Sequence, residues 1–198
     1  MGGLILPLTK VHKQETRARI LEQAIFLFST KGFDQVSIDE LMSCAGLTRG
    51  GFYAHFKNKN ELYVEAILNG VRKSAIATNY LKVVDDNQVL NELVRNYLAQ
   101  VSTVTGPSAC PLAFLVTDVA NREAEVRDAY TISFKGLVKI LNRIIAIEDE
   151  PKREAIARSI ATLMIGGVAV GRALNDPQAS QELIDACYKI AGMLAASA

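Results

Sequence analysis

The chain has 198 residues, a net charge of +1 and an apolar fraction of 49%. This length suits one sizeable domain or a small module joined to a larger one, and the apolar content excludes an intrinsically disordered chain. The charge is uneven, because residues 1–73 carry 10 Lys/Arg against 7 Asp/Glu, whereas residues 74–198 carry 12 against 14. The N-terminal part is therefore the basic part, which favours it as the side that meets nucleic acid.

No signal peptide or membrane span is expected. The apolar start, MGGLILPL, has no basic segment before it, and the longest apolar stretch, residues 160–171, is well below the ~20 residues that a span needs. The three cysteines, Cys44, Cys110 and Cys187, show no CxxC or Cys/His spacing. We therefore expect no metal, no other cofactor and no disulfide framework, and reduced thiols in a cytoplasmic protein.

The first predicted elements are helices with apolar residues at steps of three and four. Such a pattern runs from residue 14 to residue 30, and Gly32 follows as a helix terminator. Ser37 and Glu40 have the spacing of a reciprocal capping box, which predicts a second helix that ends near Ala45. Gly46 then permits a tight turn, and Thr48 is the candidate cap of a very short helix that ends near Phe56.

The rest of the chain also predicts helices. Asn58 with Glu61 repeats the cap spacing at the start of a long helix to about residue 84, and another helix runs to about residue 104. A further helix begins at residues 109–111, is interrupted at 121–123 and continues to about 147. Pro151 and Pro177 fit the first position of the last two helices. The prediction is an all-α protein of about nine helices, with domains at 14–74 and 75–198.

The most informative segment is residues 37–56, SIDELMSCAGLTRGGFYAHF. Two short helices joined through a glycine turn form a helix-turn-helix, in which one helix braces a second that lies in the major groove of DNA. Glycines such as Gly50 and Gly51 weaken a helix, which makes sense where DNA must approach closely. The alternative is an ordinary helical hairpin with two loose turn residues.

Residues 14 to about 70, including AGLTRGGFYAHF followed by an Asn-Lys pair, resemble the DNA-binding domain of the TetR family of transcriptional regulators. The resemblance implies an N-terminal three-helix DNA-binding domain and a C-terminal helical domain for ligand binding and dimerisation. It also implies a homodimeric repressor that binds double-stranded operator DNA and leaves it when a small organic effector binds. The operator, the effector and the sign of regulation cannot be read from the sequence.

The resemblance assigns roles in DNA binding to eight residues. Arg49, Gly50 and Gly51 match base-facing positions, and an arginine at such a position suits guanine O6 and N7. The residues matching positions near the DNA backbone are Ser37, Thr48, Tyr53, His55 and Lys59. Two alternatives stay open: His55 packs beside the phenylalanines, and Lys59 belongs to a solvated charge run with Lys57.

The C-terminal residues give weaker predictions. Four aromatic residues lie on helices that line the ligand cavity of similar proteins, or else are filled core positions: Tyr97, Phe114, Tyr130 and Phe134. The last two helices predict a dimer interface through Gly167, Gly171, Leu183 and Cys187, unless the glycines relieve crowding inside the chain. Cys110, placed at a helix start, is a candidate sensor thiol whose ionisation the helix dipole favours, or a small buried hydrophobe.

Two other classes of function are an enzyme and a helical adaptor. An enzyme is disfavoured, because the chain has only His12 and His55 and lacks a Gly-rich phosphate loop, a metal cluster and a G-x-S-x-G motif. A helical adaptor that binds a protein through the last helices differs from a DNA-binding regulator in ignoring duplex DNA.

Overall fold

The computed structural model describes residues 10–73, 86–102 and 110–196, which form α-helices and short 3-10 helices without a β-strand. This arrangement confirms the predicted all-α class. The α-helices, in chain order, are α1 (Lys10–Lys31), α2 (Ile38–Cys44), α3 (Lys59–Lys73), α4 (Asn87–Leu98), α5 (Pro111–Phe114), α6 (Val116–Val119), α7 (Ala124–Ile144), α8 (Glu150–Ala173) and α9 (Pro177–Ala196). The 3-10 helices are Arg49–Ala54 and Ala99–Val101.

The helix boundaries follow the cap residues. Helix α1 starts at Lys10, four residues earlier than predicted, and ends where Gly32 takes a φ of 77° and its N–H bonds the Phe28 carbonyl. Asp149 and Asp176 cap α8 and α9, each accepting backbone N–H groups of the first turn. The predicted continuation of α3 to residue 84 lies outside the described residues, and so does the predicted domain boundary near residue 74.

The helix predicted from residues 109–111 to 121 is interrupted once more than expected. It divides at Leu115 into two four-residue helices, α5 and α6. The reason is tertiary: Leu112 and Ala113 pack in one hydrophobic core, whereas Leu115 and Val119 pack in the other. The chain changes direction where it passes from one core to the other.

Two hydrophobic cores organise the described residues. The first lies in the head, which we define as residues 10–73, and the second in the body, which comprises residues 86–102 and 110–196. Four residues of the body complete the core of the head: Leu115, Val119, Val126 and Ala129. The head is therefore packed onto α6 and the first half of α7, so that the two parts share a dry interface.

Helix α8 is, by length and composition, the one described helix that could cross a membrane, and half of its apolar window is buried inside the protein. A core helix of a water-soluble protein passes the same test. Its buried residues belong to the core of the body.

A polar network also joins head and body. The Arg122 guanidinium donates to both carboxylate oxygens of Asp34, at 3.1 and 2.6 Å, and to Asp118 at 2.8 Å. Tyr63 of α3 donates its hydroxyl to the same Asp118. Arg122 also lies over the Phe33 ring, 4.7 Å from the centroid. One side chain of the body thus contacts the loop after α1 and shares a carboxylate with α3.

The network sets the ionisation of its carboxylates. Burial alone would raise the pKa of Asp118, but the hydrogen bonds from Arg122 and Tyr63 outweigh burial and hold that pKa below its usual 3.8. Arg122 also lowers the pKa of Asp34. Since the folded-state pKa values are depressed, the network stabilises the fold above the usual carboxyl pKa and loses this effect as pH falls through the folded values.

We predict that Arg122→Met lowers the free energy of unfolding at pH 7 by about 2 kcal/mol, because it leaves the half-buried Asp118 charge without its cation. The difference in unfolding free energy between variant and wild type should become smaller as pH falls from about 5, since wild type then loses the same stabilisation. Urea unfolding at several pH values measures both effects. Arg127→Met, an exposed arginine on α7, is the control, and a difference independent of pH would contradict the role of the carboxylates.

Candidate nucleic-acid interface

One packed unit, which we call the bracket, consists of helix α2, the turn after it and the 3-10 helix Arg49–Ala54. Gly46 has a φ of 66°, which a side chain would strain, and the Leu47 N–H closes the turn on the Met42 carbonyl at 2.8 Å. The bracket is held by buried side chains that belong to the core of the head: Leu41, Met42, Phe52 and Phe56. The predicted short helix is confirmed, with 3-10 rather than α geometry.

This packing leaves one side of the 3-10 helix open to solvent. Thr48, Arg49 and Gly50 are exposed at its start, and Tyr53 is exposed by 60% although its ring meets the edge of Phe52. The Thr48 hydroxyl makes no cap hydrogen bond. Four of the eight predicted residues therefore lie together on an open face whose backbone is fixed from behind by the buried phenylalanines.

Arg49 is preorganised by a partner that sequence reasoning missed. Its guanidinium donates to the Asp39 carboxylate at 2.6 Å, and both side chains are more than half exposed. Such an exposed ion pair contributes about 0–1 kcal/mol, so Arg49 can exchange Asp39 for another acceptor at little cost. No sequence pattern reveals the pair, because it depends on the angle between α2 and the 3-10 helix.

Nothing inside the described protein requires glycine at positions 50 and 51. A Cβ at Gly50 would meet no atom within 4 Å, and one at Gly51 would lie 3.6 Å from Met42 Cε, an ordinary contact. Gly50 thus leaves space on the open face, and neither glycine relieves internal crowding. This observation agrees with the interpretation that another molecule approaches the backbone there.

Ser37 has a structural role at the edge of this face. Its hydroxyl accepts the Glu40 N–H at 3.1 Å and so caps α2. The predicted box is only half formed, since the Glu40 carboxylate pairs with Lys31. At the start of α3 the cap is present: Asn58 accepts the Glu61 N–H at 2.8 Å, and Glu61 accepts the Lys57 N–H.

His55 and Lys59 are less available than the resemblance implies. His55 is half-buried, its Nδ1 has no hydrogen-bond partner, and burial together with Lys13 and Arg17 lowers its pKa, which keeps the ring neutral at pH 7. The structure favours the alternative that His55 packs against the core. Lys59, at the first turn of α3, lies over the Phe33 ring at 4.2 Å, and burial lowers its pKa.

The four aromatic residues predicted to line one cavity lie in three places. Tyr97 is buried beside Cys110, and Tyr130 lies near them and donates its hydroxyl to the Leu112 carbonyl at 2.7 Å. Phe114 stacks with an arginine on a cleft next to the head, and Phe134 lines a groove between α7 and α8. For Tyr97, and in part for Tyr130, the structure favours the core alternative.

Cys110 does not occupy the environment that the sensor prediction requires. It begins α5, but only 1% of its surface is exposed, and burial raises the pKa of its thiol despite nearby N–H donors. Its own N–H donates to Gln100 at 2.9 Å. Because the thiolate is the reactive form, this position disfavours a sensor. The structure supports the alternative of a buried core cysteine. Cys44, in contrast, is exposed.

The predicted dimer residues need correction. Gly167 and Gly171 are buried inside the chain, where a Cβ would lie 2.9 Å from Leu98 and 2.8 Å from Val101 respectively. Cys187 is also buried and lies against Gly167, whereas Leu183 is half-buried against the core of the body. The two glycines therefore allow α8 to approach its own neighbours closely, and they are not available to a partner subunit.

Comparison with known proteins places the sequence similarity mainly in the head. Residues 20–66 match the sequence model of the bacterial regulatory proteins of the tetR family. The chain is 47% identical over 57 residues to the HTH-type transcriptional regulator AcrR of Shigella flexneri, covering 29% of this chain and 26% of AcrR. It is 26% identical over 181 residues to the HTH-type transcriptional repressor BepR of Brucella suis, covering 80% of this chain and 81% of BepR.

Solved structures extend the likeness to the whole fold. A TetR-family transcriptional regulator from Cytophaga hutchinsonii has a TM-score of 0.73 at 21% identity, covering 96% of this chain and 97% of that one. The reduced form of NemR from E. coli has a TM-score of 0.72 at 16% identity, covering 87% and 95%. These likenesses define an all-α protein with an N-terminal helix-turn-helix and a helical body.

Within that class, residues 20–66 match the tetR family model, and the fold of the described residues is that of solved TetR-family regulators. The strong sequence similarity is confined to the head, since the match spans about a quarter of AcrR and about a third of TtgR from Pseudomonas putida. These relatives are named as transcriptional regulators, in agreement with the expectation that the chain is not an enzyme.

We predict that Ser37→Ala lowers the free energy of unfolding by about 1 kcal/mol, because the Glu40 N–H loses its cap. Ser37→Asp keeps an acceptor at the cap and should remain near wild type, as should Ser43→Ala, an exposed position on α2. Urea unfolding monitored by circular dichroism measures all three. Equal stability of wild type and Ser37→Ala would contradict the capping role.

Proposed function

We propose that this protein is a homodimeric transcriptional regulator that binds operator DNA through the open face of its 3-10 helix and is released by a small organic effector. The observation that carries the proposal is the exposure of Thr48, Arg49, Gly50 and Tyr53 on a bracket fixed by buried phenylalanines. Such a face can enter the major groove without reorganisation, and the basic head supplies the charge.

The proposed contacts are of two kinds: contacts to bases, which recognise the sequence, and contacts to phosphates, which position the head. Arg49 exchanges Asp39 for O6 and N7 of a guanine, which accept two parallel hydrogen bonds from a guanidinium. Gly50 and Gly51 let the backbone approach the bases. Tyr53, through its exposed hydroxyl, and Lys59, at the start of α3, meet phosphates, which fix the register of the head on the duplex.

We predict that Arg49→Ala weakens binding to a duplex selected from a random pool by about 1–3 kcal/mol and relaxes the preference at one base pair of each half-site. Tyr53→Phe should weaken all duplexes equally, since phosphates carry no sequence information. Fluorescence anisotropy at several salt concentrations measures both, with Arg127→Ala as the control. Unchanged affinity and base preference in Arg49→Ala would exclude this reading face.

The proposed dimer uses the outward sides of α8 and α9. Four large apolar side chains are exposed there, which a water-soluble monomer ordinarily avoids: Val170, Leu174, Ile190 and Met193. Gly166, adjacent to the buried Gly167, has open space at its Cβ position and permits close approach of a second helix pair. A two-fold pairing of these helices would bring two heads onto one duplex.

We predict that Val170→Lys yields a monomer in analytical ultracentrifugation at micromolar concentration, because it places a charge in an apolar contact. Ile132→Lys is the matched control, since Ile132 on α7 is exposed by 58%, against 51% for Val170, and it lies outside the proposed interface. The Val170→Lys variant should also bind operator more weakly, as its two heads are no longer linked. A wild-type monomer would disprove this part of the proposal.

Release by an effector is supported by the way head and body are joined. Four residues of the body complete the core of the head, and Arg122 links the two through Asp34 and Asp118. A shift of α6 or α7 therefore moves the head relative to its partner copy. We also propose a cytoplasmic location, as expected for a protein that binds chromosomal DNA.

The exposed apolar helices also suit a helical adaptor that binds another protein. The two candidate functions differ in a simple assay, because an adaptor ignores duplex DNA whereas the regulator binds it in a salt-dependent way.

A further inference from the structure

A cleft of about 570 Å³ lies where the end of α1 meets α5, α6 and the end of α8. Its volume is within the range of sites that hold small organic ligands. It combines apolar side chains with polar groups that belong to both head and body. The apolar members are Ala113, Phe114, Val116, Ala169 and Ala173, and the polar members are Ser29, Thr30, Thr117, Asp118 and Arg172.

Arg172 brings a charge to this cleft without a matching carboxylate. Its guanidinium stacks on the Phe114 ring at 3.7 Å, and no carboxylate of the described residues forms an ion pair with it. Burial lowers the pKa of the group, as expected of a cation that has lost part of its hydration. Stacking uses the face of the guanidinium, so the N–H donors in its plane remain available to an acceptor.

Ser29 supplies a second polar group from the head. The residue is 6% exposed, and its hydroxyl is buried without a hydrogen-bond partner. A serine inside a helix usually bonds a carbonyl one turn earlier, and Thr30, the next residue, does so with the Phe26 and Leu27 carbonyls. An unsatisfied buried hydroxyl is unfavourable, so Ser29 gains from a bound acceptor that it can reach.

The third group, Asp118, is ionised but already paired. Lys59 adds a second cation near Asp118 and Asp34 beside Arg122. Asp118 accepts hydrogen bonds from Arg122 and Tyr63 and is not free to pair with Arg172. The net character of the cleft is therefore cationic and apolar. A ligand that matches it carries one negative charge, further acceptor oxygens and a compact apolar part.

We propose that this cleft binds a small organic monocarboxylate, whose carboxylate pairs with Arg172 and whose apolar part contacts the alanines between head and body. Rotation about χ1 of Ser29, whose hydroxyl is covered in the free protein, would turn that hydroxyl toward the same carboxylate. Because the ligand touches α1 and α8 together, it couples occupancy of the cleft to the angle of the head. That regulatory role rests on the proposed function, whereas binding itself does not.

The test is isothermal calorimetry on the full chain with three carboxylates, 1-naphthoate, phenylacetate and octanoate, each compared with its uncharged amide. At least one carboxylate should bind wild type tenfold or more tightly than its amide. Arg172→Gln should weaken that carboxylate about ten- to hundredfold and leave the amide unchanged, because it removes the charge and keeps much of the side chain. Arg127→Gln is the control arginine and should have no effect.

Two further variants guard against misfolding of Arg172→Gln. Ser29→Ala removes only an unsatisfied hydroxyl and should weaken the carboxylate severalfold. Ala173→Leu fills the cleft at an exposed position and should weaken both carboxylate and amide. The site is disproved if none of the three carboxylates binds wild type, or if binding is insensitive to all three substitutions. Calorimetry needs no DNA, so failure here is distinct from failure of operator binding, which anisotropy measures separately.

Discussion

The attachment of the head to the body depends on a carboxylate that is held between two elements of different domains. Asp118 would be costly to bury alone, and it is ionised because Arg122 and Tyr63 both donate to it. The same arginine holds Asp34 in the loop after α1. Around this polar contact the apolar residues 115–129 complete the core of the head. The orientation of the open face is thus set by groups distant from it.

This arrangement has a mechanical consequence for regulation. A dry core resists sliding, whereas a network of charged hydrogen bonds can exchange partners when a neighbour moves. The proposed ligand cleft adjoins the network, because Asp118 lines the cleft while it binds Arg122. A ligand bound at Arg172 therefore lies in the same cleft as Asp118, which is part of the contact that positions the head. The proposed coupling between a ligand in the cleft and the head therefore acts over a short distance.

Local signals predicted the local structure well. Ser37 and Asn58 stand at the helix starts that they cap, and Gly32 ends α1, because capping depends on residues within one turn. The family resemblance also identified the open face, since its residues are contiguous in sequence. The break at Leu115 was missed, because it arises from the passage of the chain between two cores.

Burial and contacts between residues distant in sequence could not be predicted from local patterns in the same way. Helix α8 is apolar around much of its circumference, so its sequence alone does not distinguish the buried Gly167 from the open Gly166. The burial of Cys110 and the pairing of Arg122 with Asp34, 88 positions apart, depend on packing. Cys110 and Gly167 were recognised in the sequence but their surroundings were not, and Arg122 gave no local signal at all. Inside a helical bundle, rotation about each helix axis is the quantity that sequence constrains least.

The open space at Gly50 bears on how such a regulator diverges. Most surfaces that carry function are also tied to folding, so that a change of specificity costs stability. Here a Cβ at position 50 would meet no atom of the described chain within 4 Å, whereas one at position 51 would make an ordinary contact with the buried Met42 at 3.6 Å. After gene duplication, position 50 could acquire a side chain without loss of the fold. The proposed base preference could thus change while the bracket that supports the 3-10 helix keeps its structure.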